Sequence, residues 1–227
     1  MRAMIPDDAC LAPSATVDAD HPALRIFAER AAGDADDDRE RAVRLYYAVR
    51  DGIRYDAYGI ALDEEGLRAS TTLKRGRGWC VSKAVLLAAG CRALGIPARL
   101  GFADVRNHLS TERMRQSMKT DVFYWHGYTA IRLDGRWVKA TPAFNVELCE
   151  KFKLAPLEFD GRSDSLFHAF TPDGTRHMEY LRYRDEYVDV PIDEIRATFA
   201  REYAGTPSAG DAAGADFDRD VEAETRK

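Results

Sequence analysis

The chain reads Gly78-Trp79-Cys80-Val81-Ser82-Lys83, continues as a largely apolar run to Leu94, and then reads Gly95-Ile96-Pro97-Ala98-Arg99. This pattern predicts a helix that begins at Cys80 and ends before Gly95, because glycine commonly ends helices and proline cannot continue them. The partial positive charge at a helix N-terminus favours the thiolate form of a cysteine. A glycine just upstream lets a substrate approach the backbone closely. The stretch therefore indicates that Cys80 is a nucleophile.

The composition is that of a globular protein with one substantial core. Of 227 residues, 45% are hydrophobic and 31% are charged, and the formal net charge is −5. The chain lacks a long Lys/Arg stripe, which argues against a nucleic-acid partner. It also lacks a run of about 18 apolar residues, so we expect no membrane partner. The N-terminus does not read as a secretory signal, which favours a cytoplasmic location.

The cysteines do not form a metal-binding or disulfide pattern. Cys10, Cys80, Cys91 and Cys149 lie far apart, without a C-x-x-C pair or a histidine at metal-ligand spacing. Cys91 lies about three turns after Cys80 on the apolar face of the same predicted helix, which favours core packing. We therefore expect no metal and no cofactor.

Apolar periodicity and turn signals predict an α+β fold. The pattern predicts helices from Pro22, after the acidic run 34–38, over Cys80–Leu94 and over Ile192–Tyr203, and strands over Arg99–Val105, Val122–Leu133, Arg136–Ala140 and His177–Tyr187. Three further segments, 56–75, 106–120 and 142–175, are expected to be mostly irregular. Residues 1–204 are expected to form one domain, with its core at 40–145 and an extension at 146–204, and the Gly/Ala/Asp-rich segment 205–227 a disordered tail.

A thiol nucleophile needs a base that accepts its proton, and that base needs a group that orients it. His126 is the best candidate for the base because it lies within an aromatic strand, Phe123-Tyr124-Trp125-His126-Gly127-Tyr128. The order of helix, strand and hairpin allows this strand to pass in front of the helix that begins at Cys80. A contact between thiol and imidazole is therefore expected.

Three blocks in this order resemble the transglutaminase-like superfamily, whose members are relatives of the papain-like cysteine proteases. The first is Gly78-Trp79-Cys80 with its apolar helix and Gly95-Ile96-Pro97-Ala98-Arg99, the second is Trp125-His126-Gly127-Tyr128 with Asp134-Gly135-Arg136-Trp137-Val138, and the third, upstream, is Leu45-Tyr46-Tyr47 through Ile53-Arg54-Tyr55. The resemblance covers about residues 40–145. It implies an α+β, papain-like or transglutaminase-like fold, with N-terminal helices packed on an antiparallel sheet.

The chain departs from the family pattern at the third catalytic position. The family's strand ends in D-P-T, with an aspartate that orients the histidine, but this chain has Thr141-Pro142-Ala143 there. A hydroxyl accepts a hydrogen bond but cannot stabilise an imidazolium by charge. Asn145 is the alternative third member, since an asparagine has this role in papain-like enzymes. Asp104 and Asp121 are further carboxylates, which the motif does not place at the site.

The resemblance implies a cysteine acyl-transfer enzyme, a peptidase, amidase or amide-bond hydrolase that forms a thioester on Cys80. The expected partner is a peptide or another amide-bearing substrate. The backbone N–H of Cys80 would be one oxyanion donor, and Trp79 and Tyr58 are candidates for the second donor or for the cleft wall. The threonine at position 141 leaves an alternative open, a catalytically degenerate module that has kept the fold as a binding protein.

Overall fold

A computed structural model of the chain describes residues 5–107, 110–166, 178–203 and 216–225. Its helices and strands are, in chain order, α1 (Pro22–Ala32), α2 (Asp38–Gly52), β1 (Arg54–Tyr55), α3 (Glu64–Leu67), α4 (Ala69–Arg75), β2 (Arg77–Gly78), α5 (Cys80–Ala93), β3 (Ala98–Asn107), α6 (Glu112–Met118), β4 (Val122–Leu133), β5 (Arg136–Ala140), α7 (Val146–Lys151), β6 (Met178–Tyr187), α8 (Ile192–Glu202) and α9 (Phe217–Thr225). The predicted α+β fold, with N-terminal helices on an antiparallel sheet, is confirmed.

Helix α5 lies at the centre of the fold. Every residue from Cys80 to Arg92 is buried. The helix contacts α1, α2 and α4 as well as strands β3 and β4. A helix that is buried on every side needs no polar face, which agrees with the largely apolar run of the sequence. Gly95 follows the helix with a φ of 78°, the left-handed conformation expected of a glycine at this place.

The main sheet has the strand order β5-β4-β3-β6, and all its neighbours are antiparallel. The predicted hairpin between β4 and β5 is confirmed. Leu133 pairs with Arg136, and the two turn residues between them, Asp134 and Gly135, have φ values of 47° and 75°. Two positive φ angles are typical of the tight turn that Asp-Gly favours. Strand β4, which carries His126, therefore lies between β5 and β3.

Short helices form in three segments expected to be irregular. They are α3 and α4 in 56–75, α6 in 106–120 and α7 in the described part of 142–175. Local caps begin two of them: Asp63 accepts a hydrogen bond from the Gly66 amide at 2.7 Å, and Thr111 accepts one from the Met114 amide at 3.3 Å. Helices of four to seven residues are too short to show an apolar period, so the sequence pattern missed them.

The prediction of a disordered tail at 205–227 is wrong for Phe217–Thr225, which form α9. Residues 205–215 and 226–227 lie outside the described part of the chain. Phe217 and Val221, one helical turn apart, are buried in a second apolar cluster with Ala57, Met114 and Leu148. Acidic side chains of α9 also pair with basic ones beneath it, as in Arg54–Asp218 at 2.7 Å. Burial of this apolar pair explains why a polar segment is helical here.

Candidate active site

Cys80 is the first residue of α5, as the sequence predicted. Trp79 before it has an extended backbone, with φ −87° and ψ 178°, and its side chain does not cap the helix. Trp79 therefore leaves the first backbone N–H groups of α5 without a side-chain cap. The Cys80 side chain lies in the main core, where only 7% of the residue is exposed.

The surroundings of Cys80 shift the pKa of its thiol in two opposite directions. Burial raises the pKa of the Cys80 thiol to about 11, while backbone hydrogen bonds from Gly127, Val81 and Cys80 itself act to lower that pKa. From its place at the helix N-terminus, Cys80 was expected to favour the thiolate form. That expectation is wrong for the net effect, because removal of the thiolate from water outweighs the nearby amides. A thiol with a pKa of about 11 is protonated at neutral pH.

Strand β4 meets the start of α5 at Gly127. A Cβ atom on Gly127 would lie only 2.9 Å from the Val81 Cα, closer than a real Cβ is found to a backbone atom. Two residues along the strand, the Thr129 hydroxyl donates a hydrogen bond to the Ala84 carbonyl at 2.9 Å. Glycine is therefore required where β4 passes the first turn of α5, and this contact places the residue next to His126 against the helix that begins at Cys80.

His126 is buried and carries no charge in this structure. Only 6% of the residue is exposed, and burial lowers the pKa of its imidazole to about 4. The ring of Tyr180, on β6, stands edge-on to the imidazole with 6.3 Å between ring centroids. Among the described residues, none offers a hydrogen-bond partner to His126 Nε2. The histidine has the neutral form that a general base needs, but its outer nitrogen has no orienting group there.

A bulge in β4 immediately precedes His126. Ala103 pairs with His126 and Val105 pairs with Phe123, so Asp104 alone on β3 faces two residues of β4. One of these, Trp125, has a φ of 61°, which is unusual for a bulky residue and marks strain. The bulge sets the direction in which β4 enters the site.

Asp104 and Arg184 hold this bulge in place. The Asp104 carboxylate accepts hydrogen bonds from the Trp125 amide at 3.2 Å and from Arg184 at 2.7 and 3.0 Å. The Arg184 guanidinium also lies 4.2 Å from the Trp125 ring centroid. Asp104 thus supports the backbone beside His126. Asp121, the other carboxylate considered, pairs with Arg106 at 3.0 Å. The sequence carried no signal for the role of Arg184, which lies on the separate strand β6.

Thr141 lines the same cavity as His126. It follows β5, its backbone N–H donates to the Ser165 carbonyl at 2.9 Å, and its own carbonyl accepts from Tyr46 at 3.2 Å. Its hydroxyl is buried and makes no hydrogen bond to any part of the chain that the structure describes. The rest of the wall is mainly apolar and includes Phe144, Leu154, Leu157 and Met178. The third-member position therefore lines the same cavity as the histidine, in a mainly apolar setting.

The other candidate residues have different partners. The Asn145 side-chain oxygen accepts a hydrogen bond from the Tyr55 amide at 3.1 Å, so this residue holds the Tyr55 backbone. The Tyr58 hydroxyl is bonded to Thr111 and to Asp220 of α9, each at 2.8 Å. Trp79 packs in the core, 5% exposed, with its ring centroid 6.3 Å from that of Phe199. Tyr58 could donate to an oxyanion only after giving up its present bonds.

Within the described ranges, no group of three or more His, Cys, Asp or Glu residues is arranged to hold a metal ion. The described helices include none with the length and apolar character needed to cross a membrane.

Comparison with known proteins gives one family match. The family model described as the transglutaminase-like superfamily matches residues 25–142. Two similar solved structures are a candidate cysteine protease from Cytophaga hutchinsonii, at 20% identity and TM-score 0.47, and a candidate protease from Parabacteroides distasonis, at 17% and 0.38. The matches cover 61% and 60% of this chain, but only 43% and 26% of those two chains. The comparison with curated proteins returns no match.

Proposed function

This chain belongs to the transglutaminase-like superfamily, and we propose that it is a cysteine acyl-transfer enzyme that acts on a peptide or another amide-bearing substrate. One observation carries the proposal: Gly127, the residue next to His126 on β4, lies against the first turn of α5, where a Cβ on it would be 2.9 Å from the Val81 Cα and its backbone lowers the pKa of the Cys80 thiol. A nucleophile at a helix start with a neutral imidazole on the facing strand is the arrangement that thiol catalysis uses.

The proposed reaction has two steps. His126 accepts the proton of Cys80 as the sulfur attacks the acyl carbon, and the oxyanion that forms is stabilised by the Cys80 backbone N–H. The imidazolium then protonates the leaving amine, which departs and leaves a thioester on Cys80. In the second step His126 activates water or a second amine, which attacks the thioester and releases the thiol.

The pKa values of Cys80 and His126 set the free-energy cost of the first proton transfer. A thiol with a pKa of about 11 and an imidazole with a pKa of about 4 keep the proton on sulfur. The gap of about seven pKa units corresponds to roughly 10 kcal/mol for moving the proton, before the attraction between the two ions is counted. Catalysis therefore requires a substrate or another group that stabilises the imidazolium. The same gap favours the second candidate function, a degenerate module that binds amide-bearing ligands without turnover.

Alkylation of Cys80 distinguishes the two functions. We expect iodoacetamide at neutral pH to modify Cys80 faster than Cys91, which is fully buried in the same helix and reports global opening. His126→Ala should slow the modification of Cys80 by at least about 10-fold, since a general base contributes about 10²–10⁴. The control His21→Ala removes an exposed histidine. Equal rates in wild type and His126→Ala would overturn the enzymatic proposal.

Acylation is the second measurement. Peptide amides and activated esters are incubated with the protein, the reaction is stopped in acid, and the modified residue is located by mass spectrometry. An acyl group on Cys80, absent in Cys80→Ser, supports the enzyme. Saturable binding of these compounds without acylation supports the degenerate module.

The four free cysteines also fit the reducing, cytoplasmic compartment that we propose.

A further inference from the structure

The cavity beside His126 contains two buried polar atoms that the proposed reaction leaves unexplained. His126 and Thr141 both line it, and neither His126 Nε2 nor Thr141 Oγ1 has a partner with hydrogen-bond geometry among the described residues, although Thr141 is near enough to the Tyr180 hydroxyl to act on its pKa. His126 is 6% exposed and Thr141 is 3% exposed. Leaving a buried polar group unpaired costs about 1–3 kcal/mol, so two such groups in one cavity point to a site for a polar ligand.

The size of the cavity limits what can fill it. Its volume is about 30 Å³, and one water needs roughly 10–15 Å³ on this measure. The cavity therefore has room for about two or three water molecules, or for a compact molecule of about three or four covalently bonded non-hydrogen atoms, which lie closer together than waters do. The remaining wall, with Phe144, Leu154, Leu157 and Met178, offers mainly apolar surface. The ligand must then place its polar atoms at the histidine and the threonine.

Both unpaired atoms can donate to the same acceptor. The Thr141 hydroxyl donates its hydrogen, and Nε2 donates when the imidazole carries its proton there. A carboxylate accepts two such bonds with its two oxygens, and charge-assisted bonds of this kind are stronger than neutral ones. A water molecule also pairs with both atoms, but it brings no charge to stabilise an imidazolium.

We propose that this cavity is a binding site for a small carboxylate, of formate or acetate size, that bridges the Thr141 hydroxyl and His126 Nε2. The carboxylate supplies from solution the acceptor that position 141 lacks as a side chain. Its negative charge stabilises the imidazolium of His126, which is the species that the acyl-transfer step must form. This role in catalysis rests on the proposed function, whereas the binding site itself does not.

The binding is tested without catalysis in Cys80→Ser. The His126 pKa is followed by NMR during titrations with sodium formate and sodium acetate, against sodium chloride at equal ionic strength. We expect a saturable rise of about 1–3 units in the His126 pKa, as for other groups that gain an opposite charge nearby. Pivalate, which is too large for the cavity, should cause no rise. Thr141→Val keeps the side-chain shape without the hydroxyl and should weaken the response at least 10-fold. Thr141→Asp carries its own carboxylate and should show a raised pKa without added salt.

The outcomes separate this site from the proposed function. No saturable change in the His126 pKa with formate or acetate, or an unchanged response in Thr141→Val, overturns the site and leaves water as the occupant. A raised pKa together with acetate-dependent acylation of Cys80 in the wild type supports both proposals. A raised His126 pKa with no effect of the carboxylate on the acylation of Cys80 confirms the site and contradicts the enzymatic proposal.

Discussion

Lys83 provides the sharpest test of the fold around Cys80. This lysine lies on α5 one turn after Cys80, and its side chain is fully buried. Its ammonium donates hydrogen bonds to the carbonyls of Arg50, at 2.9 Å, and Ile53, where α2 ends. A cation is favoured at a helix C-terminus, yet burial lowers the pKa of Lys83 from 10.5 to about 7. We therefore expect Lys83→Met to change how stability depends on pH.

The sign and size of the change follow from proton binding. Below the folded pKa of about 7 both states hold the proton, and the buried charge costs about 5 kcal/mol relative to the neutral amine. Above it the unfolded lysine stays protonated while the folded one does not, so stability rises with pH. Between pH 7 and about pH 8.5, where unfolded cysteines begin to ionise, Lys83 adds about 1–2 kcal/mol. The methionine variant lacks this rise.

The assay is urea unfolding of both proteins across this pH range. The difference between the two free energies of unfolding isolates Lys83, because the cysteines and tyrosines are common to both proteins. Lys83→Met also leaves two carbonyls without their donor, which costs about 1–3 kcal/mol each and offsets the removal of the charge at low pH. The free energy of unfolding of Lys83→Met should therefore become progressively smaller than that of the wild type as pH rises. Lys74→Met, at an exposed lysine, is the control. Parallel curves for wild type and Lys83→Met would refute the reasoning.

Two further substitutions test the site and the C-terminal helix. Gly127→Ala should destabilise the protein by about 1–3 kcal/mol and slow the alkylation of Cys80, because the new methyl group meets the Val81 backbone. Gly52→Ala, where nothing lies within 4 Å, is its control, and equal losses in both would contradict the close approach. Asp220→Ala removes a carboxylate that accepts a bond from Arg113 at 2.7 Å. It should weaken the docking of α9 by about 1 kcal/mol and speed amide hydrogen exchange in that helix, and unchanged exchange would refute this contact.

The central part of the fold was predictable because its signals are local. The apolar run after Cys80 predicted α5, and Asp134-Gly135 predicted the hairpin between β4 and β5. Helix α9 was missed because its apolar residues, Phe217 and Val221, are too few to outweigh the Gly/Ala/Asp-rich composition before them. Their burial depends on α6 and α7, which lie far away in the sequence.

The candidate site was predictable in its order along the chain and not in its electrostatics. The sequence pointed to Cys80, His126 and Thr141, and the last two line one cavity. The helix N-terminus suggested a lowered thiol pKa, but the extent of burial decides that value and depends on the whole fold. The hydrogen-bond partners of Asn145 and Tyr58 were not predictable either. Tyr55 and Asp220 are distant from them in the sequence and approach them only in the folded chain.

The burial of α5 on every side has a consequence for protein engineering. Every residue from Cys80 to Arg92 is buried, so this part of the helix has no position where a label, a charge or a solubilising residue can be placed without disturbing packing. A saturation mutagenesis scan should therefore show uniform intolerance along α5, with no three- or four-residue rhythm. In α1, where Leu24, Ala28 and Ala32 alone are buried, the same scan should show that rhythm clearly. Redesign of the surroundings of Cys80 is then restricted to the strands and loops that face it, while α5 is kept intact.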